Sequence, residues 1–474
     1  MKFRPLSLFV GLAAIIPAVS LSAAEPLADL LRERLASVVA VEITVALEID
    51  RSVDTVNGIV VDREGTVILE SGAINDRLTP DQLVEIRVYR ADAPATDYAT
   101  AEYLGRDIYT GWHFVRIAPE GRTGLRPITD FAGPNPPAEP GLADPLWGIG
   151  LRKKDEDFRP YFLMSRVSMV QPLPQLMAIM LEDTAGRGLP AFDLDGNFVG
   201  IGTSGFGESM LVYSGRSRGP VPSLFVNPEE SSALRLAADV LPYLHRIPDD
   251  VYGRPLPWFG IDGIQPLDPE VAAYLGLDNG VGLVISDVLA QSPAEAGGLL
   301  PRDIIVELGS VPLPRLKPEN VVTVFLQREI ARQRPGDVLS VTVLRDGNRL
   351  ELPITIGEAP KTPKEAERQY FEDLGLTIRE FVYNDANDRR SDPTQLTGVV
   401  AHFVNSSSPV GVAGLQYDDW IQQIDGEPVT SFAQAVLLLE AVKSSGRPEV
   451  VLLVKRGGET SVLRVRLNGT GPTG

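Results

Sequence analysis

Few side chains in this sequence combine the types and spacing that covalent chemistry requires. The sequence has no cysteine and only three histidines, which are far apart: His113, His245 and His402. In the glycine-containing segment 183–190, the guanidinium of Arg187 keeps its proton in proteins and acts neither as nucleophile nor as base. Thr184 with His113 is the one nucleophile and base pair that can be nominated. No His-x-x-x-His motif or acidic cluster has metal-ligand spacing, so we expect no metal and no other cofactor.

The elements that would position these residues are mostly strands. From Val38 to about Val226 the sequence consists of short β-branched segments separated by Gly, Pro and Asp. Many short strands without long helices between them favour an antiparallel barrel architecture. Ser231 to His245 then carries apolar residues at spacings of three and four, which predicts an amphipathic helix.

The segment around Arg187 resembles the nucleophile loop of trypsin-like serine proteases of the HtrA/Deg family. That family reads G-N-S-G-G-P-L, followed by a strand, a D-G turn and a strand ending V-G-I. Here Leu189-Pro190, Asp195-Gly196 and Val199-Gly200-Ile201 keep the frame, and Arg187 stands at the serine position. The resemblance implies two six-stranded barrels, joined by the Pro-rich loop 133–141.

The other two catalytic positions of the family also differ here. In the ungapped phrase from Asn57 to Ile74, Gly72 occupies the histidine position. In the phrase from Thr110 to Ile117, Gly111 occupies the aspartate position. A catalytic triad passes one proton through three groups, and loss of one member typically costs roughly ten-thousand- to million-fold in rate. The sequence therefore predicts a degenerate protease domain with no catalytic residues, a pseudoprotease.

The remainder of the chain contains an internal repeat of about 100 residues. The phrase beginning Ser292-Pro293 and ending Gly298-Leu299 recurs as Ser408-Pro409 to Gly414-Leu415, and Asp303-Ile304 recurs as Asp419-Trp420. Each copy resembles a PDZ domain, with the phrase S-P-A-x-x-A-G-L, then D-x-I, a helix and V-x-V-x-R-x-G.

The resemblance implies a peptide-binding turn in each copy. An apolar-Gly-apolar turn presents successive backbone N–H groups to a terminal carboxylate, and the peptide is added as a strand beside a helix. The predicted peptide-binding residues are Phe259, Gly260 and Ile261 with helix 319–330, and Leu374, Gly375 and Leu376 with helix 431–442. The alternative for each copy is a buried turn with an occluded groove. In the second copy, the acidic insertion 384–393 is a candidate to cover it.

Targeting and charge place the chain outside the cytoplasm and away from polyanions. Lys2 and Arg4 precede an apolar run, and small residues end at Ala24, which predicts a secretory signal peptide cut after Ala24. The net charge of −19 becomes −21 without Lys2 and Arg4, which argues against nucleic acid and anionic lipid as partners. We expect a periplasmic or secreted protein with no membrane contact beyond the signal peptide.

The predicted fold class is mainly β, a trypsin-like double six-stranded β-barrel followed by two α+β PDZ domains. The predicted segments are a signal peptide, a degenerate protease domain, a linker helix, a first PDZ domain, a linker and a second PDZ domain, at 1–24, 25–227, 228–256, 257–358, 359–369 and 370–468. The predicted function is binding of protein C-termini or extended peptides as a scaffold, adaptor or chaperone-like protein. Oligomers are expected by analogy, as a homotrimer or a hetero-oligomer with an active protease. The alternative is an active serine endopeptidase of the HtrA/Deg class with a non-standard catalytic site.

Overall fold

The computed structural model describes residues 27–75, 77–203, 232–277, 280–316 and 319–467, together with the backbone of 210–213 and 222–225. The predicted signal peptide, 1–24, lies outside the described residues. Helix α1, Leu27–Arg34, precedes the first barrel and packs Leu30 against apolar residues from both barrels. The double-barrel architecture predicted from the sequence is confirmed by two closed six-stranded barrels.

The first barrel is built around β1, in which eight of nine residues are buried. It pairs with β2 on one side and β4 on the other, which closes the strand order β1-β2-β3-β6-β5-β4. Burial of both faces explains why β1 is a run of β-branched and apolar residues rather than an alternating strand. The strands are β1 Val38–Ala46, β2 Arg51–Val60, β3 Thr66–Leu69, β4 Leu83–Arg90, β5 Ala99–Arg106 and β6 His113–Ile117. Short 3₁₀ turns lie at Leu35–Ser37, Pro80–Gln82, Pro119–Gly121 and Ile128–Phe131.

The second barrel includes a strand that the sequence analysis assigned to a helix. Its strands are β7 Pro145–Leu151, β8 Pro160–Gln171, β9 Met177–Met180, β10 Pro190–Phe192, β11 Phe198–Thr203 and β14 Ala233–Leu236. Between β11 and β14 lies the pair β12 Met210–Tyr213 and β13 Pro222–Phe225, and a 3₁₀ turn spans Lys154–Glu156. The prediction of one helix over 231–245 is wrong. Because β14 closes the barrel between β11 and β9, the helical part shrinks to α2 Ala237–Val240 and a 3₁₀ turn, Leu241–Tyr243. The barrel therefore extends past the predicted boundary at 227.

The first repeat forms a six-stranded sheet with a helix across it. The sheet order is β16-β17-β18-β20-β21, with β19 beside β18, and a separate pair joins β15 to β22. The elements are β15 Pro257–Trp258, β16 Ile261–Pro266, α3 Pro269–Tyr274, β17 Leu283–Val288, α4 Pro293–Ala296, β18 Ile304–Leu308, β19 Val311–Pro312, α5 Val321–Arg332, β20 Val338–Arg345, β21 Asn348–Thr355 and β22 Gly357–Glu358. The pair of β15 with β22 joins the two ends of this copy.

The second repeat forms a seven-stranded sheet that begins with one extra strand. Its order is β23-β24-β25-β26-β28-β29, with β27 beside β26. The elements are β23 Arg368–Phe371, β24 Leu376–Glu380, α6 Tyr383–Asp388, β25 Val399–Val404, α7 Pro409–Val412, β26 Trp420–Ile424, β27 Glu427–Pro428, α8 Phe432–Ser444, β28 Glu449–Arg456 and β29 Glu459–Arg466. The predicted linker, 359–369, contains turns and the start of β23.

The two copies share side-chain contacts that the repeated phrases encode. Ser292 and Ser408 each accept a hydrogen bond from a helix N–H, of Glu295 and Gly411, and so cap α4 and α7. The repeated aspartates are fully buried and each binds one arginine through two hydrogen bonds of 2.6–2.7 Å: Asp303 with Arg345, and Asp419 with Arg456. The two copies therefore share these contacts as well as the repeated sequence.

Candidate functional site

The three positions that correspond to the family triad come together between the barrels. Gly72 follows β3, Gly111 precedes β6, and Arg187 lies in the loop before β10. A Cβ added to Gly72 would lie 2.7 Å from Nη2 of Arg187. A Cβ added to Gly111 would lie 3.1 Å from the Cβ of Ser71. The fold thus places these residues as neighbours, although they are far apart in the sequence.

An ion pair fills the place where nucleophile and base would meet. The Arg187 guanidinium binds the Glu70 carboxylate through two nitrogens, with Nη2 3.1 Å from Oε1. The Arg187 side chain is 60% exposed and that of Glu70 16%. An ion pair so open to solvent contributes at most about 1 kcal/mol to stability. Neither group offers a nucleophile. The guanidinium keeps its proton, and the carboxylate already accepts hydrogen bonds from it.

The loop that carries Arg187 is held firmly on the second barrel. Gly186 N–H donates to Ile149 O at 2.9 Å, and Gly188 N–H donates to Gly202 O at 2.8 Å. Gly188 has a φ of 72°, a conformation that favours glycine. The protease-like shape of the loop is therefore maintained by backbone bonds that do not depend on residue 187.

The nucleophile and base pair that the sequence offered is not assembled. Thr184 is fully buried, and its hydroxyl donates to Glu182 O at 3.2 Å. His113 is buried on β6 with its Nδ1 2.9 Å from the Tyr103 hydroxyl. The Thr184 hydroxyl and His113 Nδ1 therefore bond to other partners and not to each other. Among the described residues, no cluster of His, Asp and Glu could hold a metal ion.

The first repeat bonds the carbonyls of its apolar-Gly-apolar turn inward. Phe259 O accepts from Ala294 N–H at 2.9 Å, and Gly260 O accepts from Leu289 N–H at 2.9 Å. The Ser292 hydroxyl also donates to Gly260 O. Because C=O and N–H point in opposite directions in a trans peptide, the N–H groups of Gly260 and Ile261 face away from this contact.

Only glycine fits at the centre of this turn. Gly260 has a φ of 90°, and a Cβ there would lie 2.0 Å from the Cβ of Ser292. β16 runs on from the turn with β17 along one edge, and no described strand pairs with its other edge. Helix α5 contacts β16 and buries Val322 and Leu326 in the same core as Phe259. The arrangement can accept a peptide as an added strand.

Helix α5 is also docked on the first barrel. The Tyr109 ring lies under three guanidinium groups at 4.8–5.7 Å from the ring centroid, those of Arg246, Arg328 and Arg332. Arg246 donates to the last carbonyls of α5, including Ala331 O at 2.9 Å, and to Asp107 at 2.8 Å. Burial and a hydrogen bond with Tyr243 raise the pKa of Tyr109. Sequence reasoning missed this cluster because Tyr109, Arg246 and helix α5 are far apart in the sequence.

The second repeat has the same turn but a different use of its N–H groups. Gly375 has a φ of 62°, and a Cβ there would lie 2.4 Å from the Cβ of Ser408, as at Gly260. Leu374 N–H, however, donates to Phe371 O at 3.2 Å, and Gly375 N–H donates to Glu372 O at 3.0 Å. Leu376 begins β24, which pairs with β23.

The insertion 384–393 does not lie over that turn. Its helix α6 is anchored by Asp385, which binds Arg379 through bonds of 2.6 and 2.7 Å, and by Tyr383, which donates to Ala290 O of the first repeat at 2.6 Å. Helix α6 therefore contacts the first repeat.

Comparison with known proteins agrees with this architecture. A family model for the PDZ domain matches residues 263–356. A protein named "Probable periplasmic serine endoprotease DegP-like" from Rhizobium meliloti (strain 1021) is 27% identical over 284 residues, covering 56% of this chain and 49% of that protein. A protein of the same name from Hahella chejuensis (strain KCTC 2396) is 26% identical over 309 residues, covering 62% of this chain and 58% of that protein. The chain is a relative of the HtrA/Deg proteases.

The matched region of this HtrA/Deg relative spans about half the length of the curated relatives. A solved structure, "HtrA-type protease AlgW with decapeptide", covers 71% of this chain and 100% of that chain at 19% identity, with a TM-score of 0.47. The double-barrel fold follows from the strand order itself rather than from that superposition. None of the helices in the described residues is long and apolar enough to cross a membrane.

Proposed function

We propose that this HtrA/Deg relative is a catalytically inactive periplasmic protein that binds the C-termini of proteins or extended peptides through its first PDZ domain. The observation that carries the proposal is the turn at Phe259, Gly260 and Ile261, whose carbonyls are bonded inward beside an edge strand that no described strand covers. The relatives carry the word periplasmic in their names, which supports the location.

Inactivity is supported by what occupies the three triad positions. Gly72 and Gly111 have no side chain to hold or accept a proton, and Arg187 is paired with Glu70. A serine protease that has lost its triad keeps only a small fraction of its rate, which comes from oxyanion stabilisation and substrate binding. We therefore expect no measurable peptide hydrolysis.

A serine-type endopeptidase with a non-standard site is the second candidate, because the relatives are named serine endoproteases. It would need an accessible hydroxyl with a base, and the nominated Thr184 is fully buried. Incubation of the purified chain with casein and with a serine-reactive fluorophosphonate separates the two candidates. Covalent labelling of the wild-type chain would refute the inactive assignment.

Peptide binding is tested with pairs of C-terminal peptides, each as free acid and as amide. A hydrogen bond to a charged group contributes about 1.5–3 kcal/mol, so the free acid should bind roughly 10- to 150-fold more tightly. Ile261→Pro removes the outward N–H of the nest and should abolish that difference, whereas Ile261→Val should keep it. Equal affinity for acid and amide in the wild-type chain would contradict the proposal.

Assembly remains part of the proposal by analogy with the family. A homotrimer, or a hetero-oligomer with an active protease, would place several peptide grooves on one particle and raise the avidity for multivalent targets. Sedimentation equilibrium of the chain without residues 1–24 should then give a mass of three chains. A purely monomeric chain at micromolar concentration would contradict the homotrimer.

A further inference from the structure

The two repeats differ at the edge where a peptide would be added. In the first repeat, the strand that enters the turn, β15, pairs with β22 and leaves the outer edge of β16 uncovered by any described strand. In the second repeat, the entering strand β23 folds back along β24. The antiparallel register runs from Phe371 opposite Leu376 to Arg368 opposite Arg379.

Side chains of β23 occupy the positions that alternate residues of an added peptide would take. Phe371 is 6% exposed and belongs to the same core cluster as Leu374 and Leu439. Two residues earlier, on the same face of the strand, Gln369 Nε2 donates to Glu440 on α8 at 3.3 Å. In strand addition, main-chain bonds give affinity and pockets for alternate side chains give specificity, and β23 makes both kinds of contact.

We propose that the peptide groove of the second repeat is filled by the chain's own strand Arg368–Phe371, so that the native chain accepts one external peptide, in the first repeat. The inference refines the proposed function and rests on it for the first repeat only. The N–H groups of Leu374 and Gly375 are already bonded to Phe371 O and Glu372 O, so the Gly375 N–H, the counterpart of the Gly260 N–H, is not available to a second carboxylate.

The strand is also anchored outside its own domain. Arg368 donates to the Thr79 hydroxyl at 2.6 Å and forms an ion pair with Asp81, both at the 3₁₀ turn of the first barrel. On the neighbouring strand β24, the Thr377 hydroxyl donates to Glu48 of the first barrel at 3.0 Å. Release of the strand therefore requires separation of contacts between the second repeat and the barrel.

Hydrogen–deuterium exchange on the whole wild-type chain tests the inference without any substitution. The amides of 368–371 that bond to β24, and those of 376–380, should exchange at least about tenfold more slowly than those of the exposed turn 457–458, because β23 pairs with β24 and β24 is paired on both sides. A saturating free-acid peptide should slow exchange in 261–266 and leave 376–380 unchanged. Slower exchange in 376–380 together with faster exchange in 368–371 would overturn the inference, because the peptide would then have replaced the strand.

A variant pair tests the occupant directly by counting peptides bound per chain in a calorimetric titration. Phe371→Ser empties the position under α8 and should raise the count from one to two, whereas Phe371→Leu should keep it at one. A folded Phe371→Ser chain whose 368–371 amides exchange freely, yet which binds a single peptide, would overturn the inference. So would two peptides on the wild-type chain.

Failure of the proposed function gives a different pattern. If the wild-type chain binds no peptide but 368–371 exchanges slowly and Phe371→Ser gains one site, the first repeat has failed and the second-repeat inference stands. If the wild-type chain binds one peptide and 368–371 exchanges as fast as the exposed turn, the proposed function stands and the inference fails.

Discussion

Rebuilding the triad is the sharpest test of the cleft geometry. The variant combines Gly72→His, Gly111→Asp and Arg187→Ser, the three positions that lie together between the barrels. If the fold has kept a protease's frame, these side chains should form a nucleophile, a base and an orienting carboxylate without further change.

The cost of the three changes can be worked out from the structure. The two nearest atoms to a Cβ on Gly72, at 2.7 and 3.5 Å, both belong to Arg187, so Arg187→Ser makes the space for a histidine. Gly111 has a φ of 74°, where aspartate costs roughly 1–2 kcal/mol. Loss of the exposed pair with Glu70 costs at most about 1 kcal/mol. A total of about 1–3 kcal/mol is less than the ordinary stability of a folded domain, so the variant should remain folded.

Fluorophosphonate labelling provides the assay. The wild-type chain should not be labelled, and Arg187→Ser alone should react slowly because glycine at 72 supplies no base. The triple variant should react about a thousandfold faster or more, since triad members act as a unit. A folded triple variant that reacts no faster than Arg187→Ser would show that the three positions are not arranged as a triad.

Three further changes test the contacts that hold the repeats. Asp385→Asn should lower the free energy of unfolding of the second repeat by about 3–5 kcal/mol, because it leaves the buried Arg379 charge without its partner. A loss below about 1 kcal/mol, measured by urea unfolding, would contradict this. Burial, with Arg368 close by, lowers the pKa of His402. The folded chain then holds His402 neutral where the unfolded chain binds a proton, so stability should fall as the pH drops below about 6.5. His402→Gln should flatten that part of the profile, and an unchanged slope would refute the assignment. Arg254→Ala removes hydrogen bonds of 2.6–2.8 Å to the linker between the repeats and should speed proteolysis there about tenfold; equal rates would contradict a clamping role.

The sequence predicts the barrels and the triad positions because both depend on short, local patterns. The apolar runs of β1 and β3 are recognisable from their own residues. The turns at Gly72, Gly111 and Arg187 align without a gap with the motifs of the family. The prediction of one helix over 231–245 is wrong because it, too, rests on a local pattern alone. Its spacing of three and four fits a helix, but the closing pairs of β14 with β9 and β11 come from residues that are distant in the sequence.

The state of the second groove could not be predicted from the motif. Phe259-Gly260-Ile261 and Leu374-Gly375-Leu376 read alike, and both glycines face a serine across a gap that no Cβ could fill. What differs is the partner of the preceding strand, β22 in one copy and β24 in the other. Strand partners of this kind are set by tertiary packing and leave little trace in the local residue pattern.

The docking of α5 links the first repeat to the region between the barrels where Gly72, Gly111 and Arg187 lie. Arg246 binds the C-terminal carbonyls of α5 and also Asp107, at the start of the turn that holds Gly111. A cation at the C-terminus of a helix interacts favourably with the helix dipole, so this contact stabilises α5 in one orientation.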